Sequence, residues 1–546
     1  MSEGARMAPV DITWLRMDRP KNRMIIVGVI VLREPVDVER VERTLAARLL
    51  AYDRFRQQVE NGTSAPRWRD DPHFDIERHI RRARLPGAAG KEELQRFVAE
   101  LATRPLDTAH PLWQIHVVER YEEGVAVVLR IHHAIGDGAA LMHVLLGLTD
   151  DAPNAPLHGV EFADGERRDL YSPPWEMLAP LIESIESGAR TVTGALGGAL
   201  ALARRPGRAL GLLSGGVNVA AELAYLLLMP MDSPTRLKGA LSGDKRVAWS
   251  PTIPLPEVKA IGHALGSTVN DMLLASFAGA INGYLTEKGD STRGVEVRAL
   301  VPIDLRPPGR AQELGNHFGI IAVELPVGIA DPLARLAEVR RRMRALKKSY
   351  EPIVTLGLLE ALGLGPKLLQ DRLFDLLLSR ASAVMTNVPG PQKPLYLGGA
   401  EIDQIMFWVP QSGEIGMGVS LLSFNNRVQL GLITDAALTP DPDEIVKYFQ
   451  PEFEQLLYHV LMDEWSGKTV SAAPAEKPKA KPTSKPKRAA KPRKRPASTK
   501  DAKAEAAPPP VPAAKRPREP AAAARRQDQP APARPRRRRA PLRGSA

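Results

Sequence analysis

Two adjacent histidines, His132 and His133, end an apolar, β-branched run over residues 125–131, and Gly136, Asp137 and Gly138 follow at once. Imidazole titrates near neutrality, so it can take the proton of a hydroxyl as the oxygen attacks a carbonyl carbon. Where both reactants meet at the ring, no covalent enzyme intermediate is required. Asp137 need not touch a reactant. It can hold the loop, or pair with an arginine and fix the turn. The glycines let the backbone turn tightly and approach a ligand. A plainer reading fits the same residues: a packed turn at a strand end, with Asp137 capping the helix that follows. Residue types alone leave the two even. They do not suggest a metal, because adjacent histidines on a strand point to opposite faces and no third ligand stands at a recognisable spacing.

The elements that must position this pair are legible from periodicity. Residues 125–131 read as a buried strand and 139–148 as a helix, so an imidazole stands where a strand gives way to a turn. Residues 23–32 read as a central strand. Over 36–50, Val38, Val41, Leu45 and Leu49 lie along one helical face. Pro111, Leu112 and Trp113 open a further strand, in which Trp113 suits a core anchor and His116 a satisfied strand histidine. His79 reads as structural. Residues 255–265 and 272–287 read as helices, and Asn270 and Asp271 are of types that favour a helix N-terminus. The strand over 299–306 runs into a turn at Arg306, a candidate partner for Asp137. A strand over 383–389 carries Thr386 and Asn387, polar residues that could face a cleft. Residues 416–431 read as two strands joined at Asn425–Asn426, and 440–461 as the last helix. Together these make an α/β fold.

Composition sets the outer limits. The 546 residues contain no cysteine, which excludes disulfides, thiolate nucleophiles and cysteine metal sites and fits a reducing compartment. The net charge of +12 is unevenly spread: residues 468–546 carry 24 Lys+Arg against 5 Asp+Glu, a net of +19, which leaves −7 for the rest. This tail, with 16 prolines, 21 alanines and no aromatic residue, is expected to be disordered. Anionic lipid, nucleic acid and acidic proteins all suit its charge, and so does a solubilising extension with no dedicated partner. The first nine residues lack an apolar core for a signal peptide, and the expected location is cytoplasmic. Apolar runs at 194–203 and 219–229 fall short of the roughly 20 residues needed to span a bilayer. They suit a packed crossover or a surface that docks on a lipid monolayer.

His132-His133-Ala-Ile-Gly-Asp137-Gly138 matches the HHxxxDG pattern of acyl-CoA-dependent acyltransferases and condensation domains. With Pro105-Leu-Asp107, Pro111-Leu112-Trp113 and Asn270-Asp271 in the same order, the chain resembles the bacterial wax ester synthase/diacylglycerol acyltransferase family over about residues 8–465. Asp11, Met24, the stretch 314–319 and that around Arg306 also resemble family patterns. Lys238 departs from them, standing where asparagine is more usual.

The resemblance implies an α/β fold of two chloramphenicol-acetyltransferase-like subdomains with a central cleft. The first is expected at 1–170 and the second at 235–467, joined by an apolar crossover at 171–234 and followed by the tail at 468–546. It implies His133 as general base beside His132, with Asp137 structural and Gly138 shaping the loop. Trp113, with Pro111 and Leu112, is implied to shape the wall near the base. Asn270 is implied to lie near the site and Asp271 to hold structure. The implied reaction moves an acyl group from acyl-CoA, a co-substrate, to diacylglycerol or a long-chain alcohol, with no metal or bound cofactor, at a membrane or lipid-inclusion surface. Two rivals stand beside it: the same fold with another alcohol acceptor, and a non-catalytic scaffold that coats lipid inclusions and tethers them to DNA through the tail.

Overall fold

The computed structural model describes residues 4–61, 66–155, 229–306, 314–347, 349 and 351–465. The basic tail and both apolar runs, apart from Met229, lie outside the described residues.

Two large sheets organise the protein. The first has six strands. Its centre is the antiparallel pair Ile25–Arg33 and Gly124–His132, in register from Ile25 opposite His132 to Arg33 opposite Gly124. Both are β-branched and almost wholly buried, as strands covered on both faces must be. Trp113–Tyr121 pairs antiparallel with Gly124–His132, and Ile80–Ala83 adds a parallel edge.

The other edge of this sheet comes from far along the chain. Ala400–Trp408 pairs antiparallel with Ile25–Arg33, and Tyr396–Leu397 extends it. Strands between Lys245 and Asp435 therefore build the second sheet and also complete the first.

The second sheet has seven strands. Val297–Asp304 lies between Phe318–Leu325 and Ala383–Pro389, followed by Met417–Phe424, Arg427–Asp435 and Lys245–Trp249, with Ile253–Pro254 beside Arg427–Asp435. Asn425 and Asn426 both take positive φ, 47° and 59°, as a two-residue turn between twisted strands requires. The helix Val269–Glu287 is buried nearly all round within this sheet's core. No single helix among the described residues is long and apolar enough to cross a membrane.

A smaller cluster joins the first helix to the second half. Pro9–Met17 packs on Glu351–Leu364, with Val10, Trp14 and Met17 buried against Leu356, Leu359 and Phe318. The approach is close enough to need a glycine, since a Cβ on Gly363 would stand 1.9 Å from the Pro9 carbonyl oxygen. This contact carries Asp11 and Trp14 to the end of the His132–His133 strand.

Candidate active site

The pattern that singles out His133 becomes a hydrogen-bonded relay. The strand Gly124–His132 ends one residue earlier, and the His133 amide donates to the Met24 carbonyl at 2.7 Å. On its ring, Nδ1 lies 2.8 Å from Asn316 Oδ1. The Asn316 amide is itself oriented, because its Nδ2 donates to Asp11 Oδ1 at 2.9 Å and to the His133 carbonyl at 2.8 Å. An Oδ1 facing Nδ1 can only accept, so the imidazole proton sits on Nδ1 and Nε2 presents its lone pair. Nε2 has no hydrogen-bond partner among the described residues.

Aromatic rings fix the plane of the imidazole. Trp14 stacks on His133 with centroids 4.6 Å apart and 25° between planes, and Phe318 lies 5.7 Å away. Burial pushes the His133 pKa below the ordinary histidine value, against the opposing pull of Asp137 and Asn316. The ring is therefore neutral and held in orientation at pH 7.

Asp11 forms the far end of the relay. Complete burial raises its carboxyl to about 6, although Arg54, 3.5 Å away, and Asn316 pull the other way. Arg54 in turn lies over the Trp68 ring, 4.2 Å from its centroid.

The Asp137 carboxylate is taken up by other partners. It caps the helix Gly138–Leu148 by accepting from the Ala140 amide at 3.0 Å. It also receives both arms of Arg306, at 2.9 and 2.7 Å, and the His317 amide at 3.0 Å. Burial alone would raise this carboxyl, but Arg306 outweighs it and holds it below the usual range. The plain helix-cap reading and the arginine-partner reading are thus both true of one side chain. Gly138 is the first residue of the helix, and a Cβ there would meet nothing within 4 Å.

His132 occupies a different environment. Its Nδ1 accepts from the Ala134 amide at 3.0 Å, its Nε2 lies 3.8 Å from Asp18, and burial followed by the charge of His133 pushes its pKa down to about 3. It is a neutral spacer in the turn.

The other sequence candidates spread further out. Trp113 is fully buried, donates Nε1 to the Phe55 carbonyl at 2.9 Å and stacks on His79 at 4.5 Å. Leu112 accepts from the His132 amide at 2.9 Å, so the Pro111-Leu112-Trp113 segment braces the strand end from behind. Asp271 forms a capping box with Thr268 at the start of Val269–Glu287. Asn270 accepts from Asn387 Nδ2 at 3.0 Å, which joins two of the polar residues picked from the sequence. Among the described residues, no hydrogen bond links Asn270 or Asp271 to the His133 relay. Lys238 pairs with Asp232, a structural ion pair.

One expectation fails. His116 is not a satisfied strand histidine, since its Nε2 is buried without a hydrogen-bond partner among the described residues. Burial and three arginines, Arg130, Arg81 and Arg104, push its pKa down to about 4.

Sequence reasoning did not single out Asn316 or Trp14, and it noted Asp11 without a role. The available signal was two short polar–aromatic stretches, Asp11 to Trp14 and Asn316 to Phe318, each beside an apolar element.

Comparison with known proteins identifies the family. The family model for the wax ester synthase/diacylglycerol acyltransferase catalytic domain matches residues 7–273, and the model for the C-terminal domain of the same family matches residues 314–457. A relative from Mycobacterium bovis named as a diacylglycerol O-acyltransferase is 26% identical over 429 residues, covering 77% of this chain and 88% of its own. Another from Mycobacterium tuberculosis is 29% identical over 438 residues, covering 75% and 86%. Among solved structures, the wax ester synthase/diacylglycerol acyltransferase of Marinobacter aquaeolei superposes with a TM-score of 0.58 at 20% identity, over 84% of this chain and all of the other. The first condensation domain of the calcium-dependent antibiotic synthetase gives 0.52 at 12% identity, over 83% and 97%. Those likenesses establish the two-part acyltransferase fold. The chain belongs to the wax ester synthase/diacylglycerol acyltransferase family and is an acyltransferase.

Proposed function

We propose that the protein transfers the acyl group of an acyl-CoA to the hydroxyl of diacylglycerol, of a long-chain alcohol, or of both, with His133 as general base. The observation that carries this reading is the relay itself, in which Asn316 holds the proton on Nδ1 and leaves Nε2 for the substrate. The acceptor hydroxyl gives its proton to Nε2 as its oxygen bonds to the thioester carbonyl carbon. The tetrahedral intermediate then collapses with cleavage of the carbon–sulfur bond, and the imidazolium returns the proton to the leaving CoA sulfur. The products are triacylglycerol or a wax ester, and free CoA. The step calls for no metal and no bound cofactor. Asp137 keeps the turn in shape and does not touch substrate.

A scaffold without catalysis has no use for a neutral, oriented and otherwise unengaged imidazole, so this arrangement favours the enzyme. The reading carries with it a cytoplasmic protein that works where its lipid acceptors lie, at a membrane or lipid-inclusion surface, with the basic tail available to anionic lipid or nucleic acid.

The test is CoA release by the full chain with palmitoyl-CoA and either dioleoylglycerol or hexadecanol, beside His133→Ala. Acceptor-dependent release is expected, lowered at least 100-fold in the variant, as removal of a positioned base predicts. Undiminished turnover in a folded His133→Ala protein would overturn the mechanism. The faster of the two acceptors names the preferred substrate.

A further inference from the structure

The guanidinium of Arg130 is buried to 2% exposure with no carboxylate partner among the described residues. It sits on the strand Gly124–His132, three residues before His133. One arm donates to Gln114 Oε1 at 2.7 Å and another to the Arg104 carbonyl at the end of the helix Lys91–Thr103, while its Nε has no partner among the described residues. Sheet register gathers the neighbours on one face. Arg130 lies opposite Gln114, and Arg81 opposite His116. The charges acting on Arg130 are those of Arg104 and Arg81, both cations, and together with burial they lower its pKa to about 10. His116 reports the same field.

This face meets the surface at a pit lined by Arg78, Arg81, Asp107, His110, Trp113 and Gln114. The opposing charges there are mostly paired locally, apart from Asp107, a lining carboxylate with no cationic partner among the described residues. Asp107 accepts from the Ala109 amide at 3.0 Å, Asp71 is engaged by His110 at 2.9 Å, and Asp75 lies 3.6 Å from Arg78. Glu100 pairs with Arg104 one helical turn away. The helix C-terminus offsets Arg130 by a fraction of a charge. Neither Arg130 nor Arg81 has an acidic partner among the described residues. A buried cation left without an anion is costly. Gln114 adds direction: its Oε1 is held by Arg130, so its amide NH2 is the group left to donate.

We infer that this pit is a binding site for a phosphate group, held by Arg81 and the Gln114 amide with Arg130 charged behind it. The phosphate would belong to a substrate or to a lipid. Gln114 lies opposite Arg130, which stands three residues, about 10 Å of strand, before His133. The inference stands on the cation cluster and does not require the proposed acyl-CoA chemistry.

The experiment uses the full chain and its Arg81→Glu and Arg81→Lys variants. The probes are adenosine 3′,5′-bisphosphate and, separately, vesicles of phosphatidylcholine with and without phosphatidate. The readout is the His116 imidazole resonance as a function of pH. A bound phosphate should raise the His116 pKa from about 4 by about one unit or more, at half-saturating concentrations at least tenfold higher in Arg81→Glu and within about twofold in Arg81→Lys. A shift with the nucleotide alone assigns the site to a soluble phosphate ester, and a shift with phosphatidate vesicles alone assigns it to a lipid headgroup. No shift with either probe, or a shift untouched by Arg81→Glu, overturns the inference. Because no turnover is measured, that outcome is distinct from failure of the acyl-transfer reading.

Discussion

At the scale of single residues, the proposed mechanism rests on which nitrogen of the His133 ring carries the proton. Asn316 settles this, and Asp11 settles Asn316. Removing the Asn316 carboxamide frees the ring to take either tautomer and to turn. We expect Asn316→Ala to lower kcat by about 10- to 100-fold, part of the 10²–10⁴ that a positioned base supplies, with little change in KM. Steady-state kinetics checks this, and an unchanged kcat would remove Asn316 from the relay. The pH profile is a second check. His133 titrates below its ordinary value of 6.5 because it is buried, so the acid limb of kcat/KM should fall below pH 6.5, with a plateau above. An inflection at higher pH would mean that a different group is the base.

Stability follows the same groups. His132 and His116, at about 3 and 4, stay neutral in the fold while the unfolded chain protonates near 6.5. Their folded values are depressed, so the unfolded state binds more protons and stability is lost as pH falls below about 6.5. The slope is at most about 1.4 kcal/mol per pH unit for each. Asp11 acts with the opposite sign, since a carboxyl raised to about 6 adds stability below 3.8 and loses it as pH rises to 6. With His79 and His133 also lowered, four histidines act against three raised carboxyls, Asp11, Asp18 and Glu452, so the denaturation midpoint should decrease as pH falls from 6.5 to 4.5, and less steeply in His116→Leu. A midpoint that is flat or rising over that range would contradict these protonation states.

At the scale of elements, the site is held by a helix cap that spans the chain. Asp137 starts the helix after the histidines and binds Arg306, 169 residues away. The turn was legible in the sequence because an apolar run, two glycines and an aspartate at a helix start each act locally. Arg306 could be named as a candidate partner because its stretch resembles a family pattern, but its distance from Asp137 was not legible. The Asn316 relay was not legible, since its pairs are separated by 183 and 305 residues and depend on burial that no local pattern encodes. His116 misled for a similar reason: its alternation with Ile115 and Val117 was read correctly as strand, but the arginines around it come from three other elements. The cap yields a prediction. Arg306→Leu leaves Asp137 charged and buried without its partner, which costs roughly 3–5 kcal/mol. Urea denaturation should show that loss, and Asp137→Asn, which keeps a capping oxygen, should lose less than Asp137→Ala. Equal losses in the two would mean that the cap contributes nothing.

At the scale of the whole molecule, the two halves are bound by an exchanged strand. Ala400–Trp408 closes one edge of the first sheet, against Ile25–Arg33. Its far end then lies close against the second sheet: a Cβ on Gly431 would stand 3.2 Å from Trp408 Nε1 and 3.3 Å from the Phe407 carbonyl oxygen, tighter than ordinary van der Waals contact. The sequence announced each strand as an apolar run, but not its partner, because a run buried on both faces fits any neighbour of the same kind. Without Ala400–Trp408, the backbone edge of Ile25–Arg33 is open, and nearly every side chain on it is apolar. Such an edge pairs with other chains. Residues 1–155 expressed alone should therefore be insoluble or oligomeric. Co-expression with residues 229–465 should restore a one-to-one complex, and the same co-expression lacking 396–408 should not. Size-exclusion chromatography decides the matter: a soluble monomer of 1–155 would mean that the first sheet is complete without the second half, and that the cleft at His133 is assembled from two bodies able to stand apart.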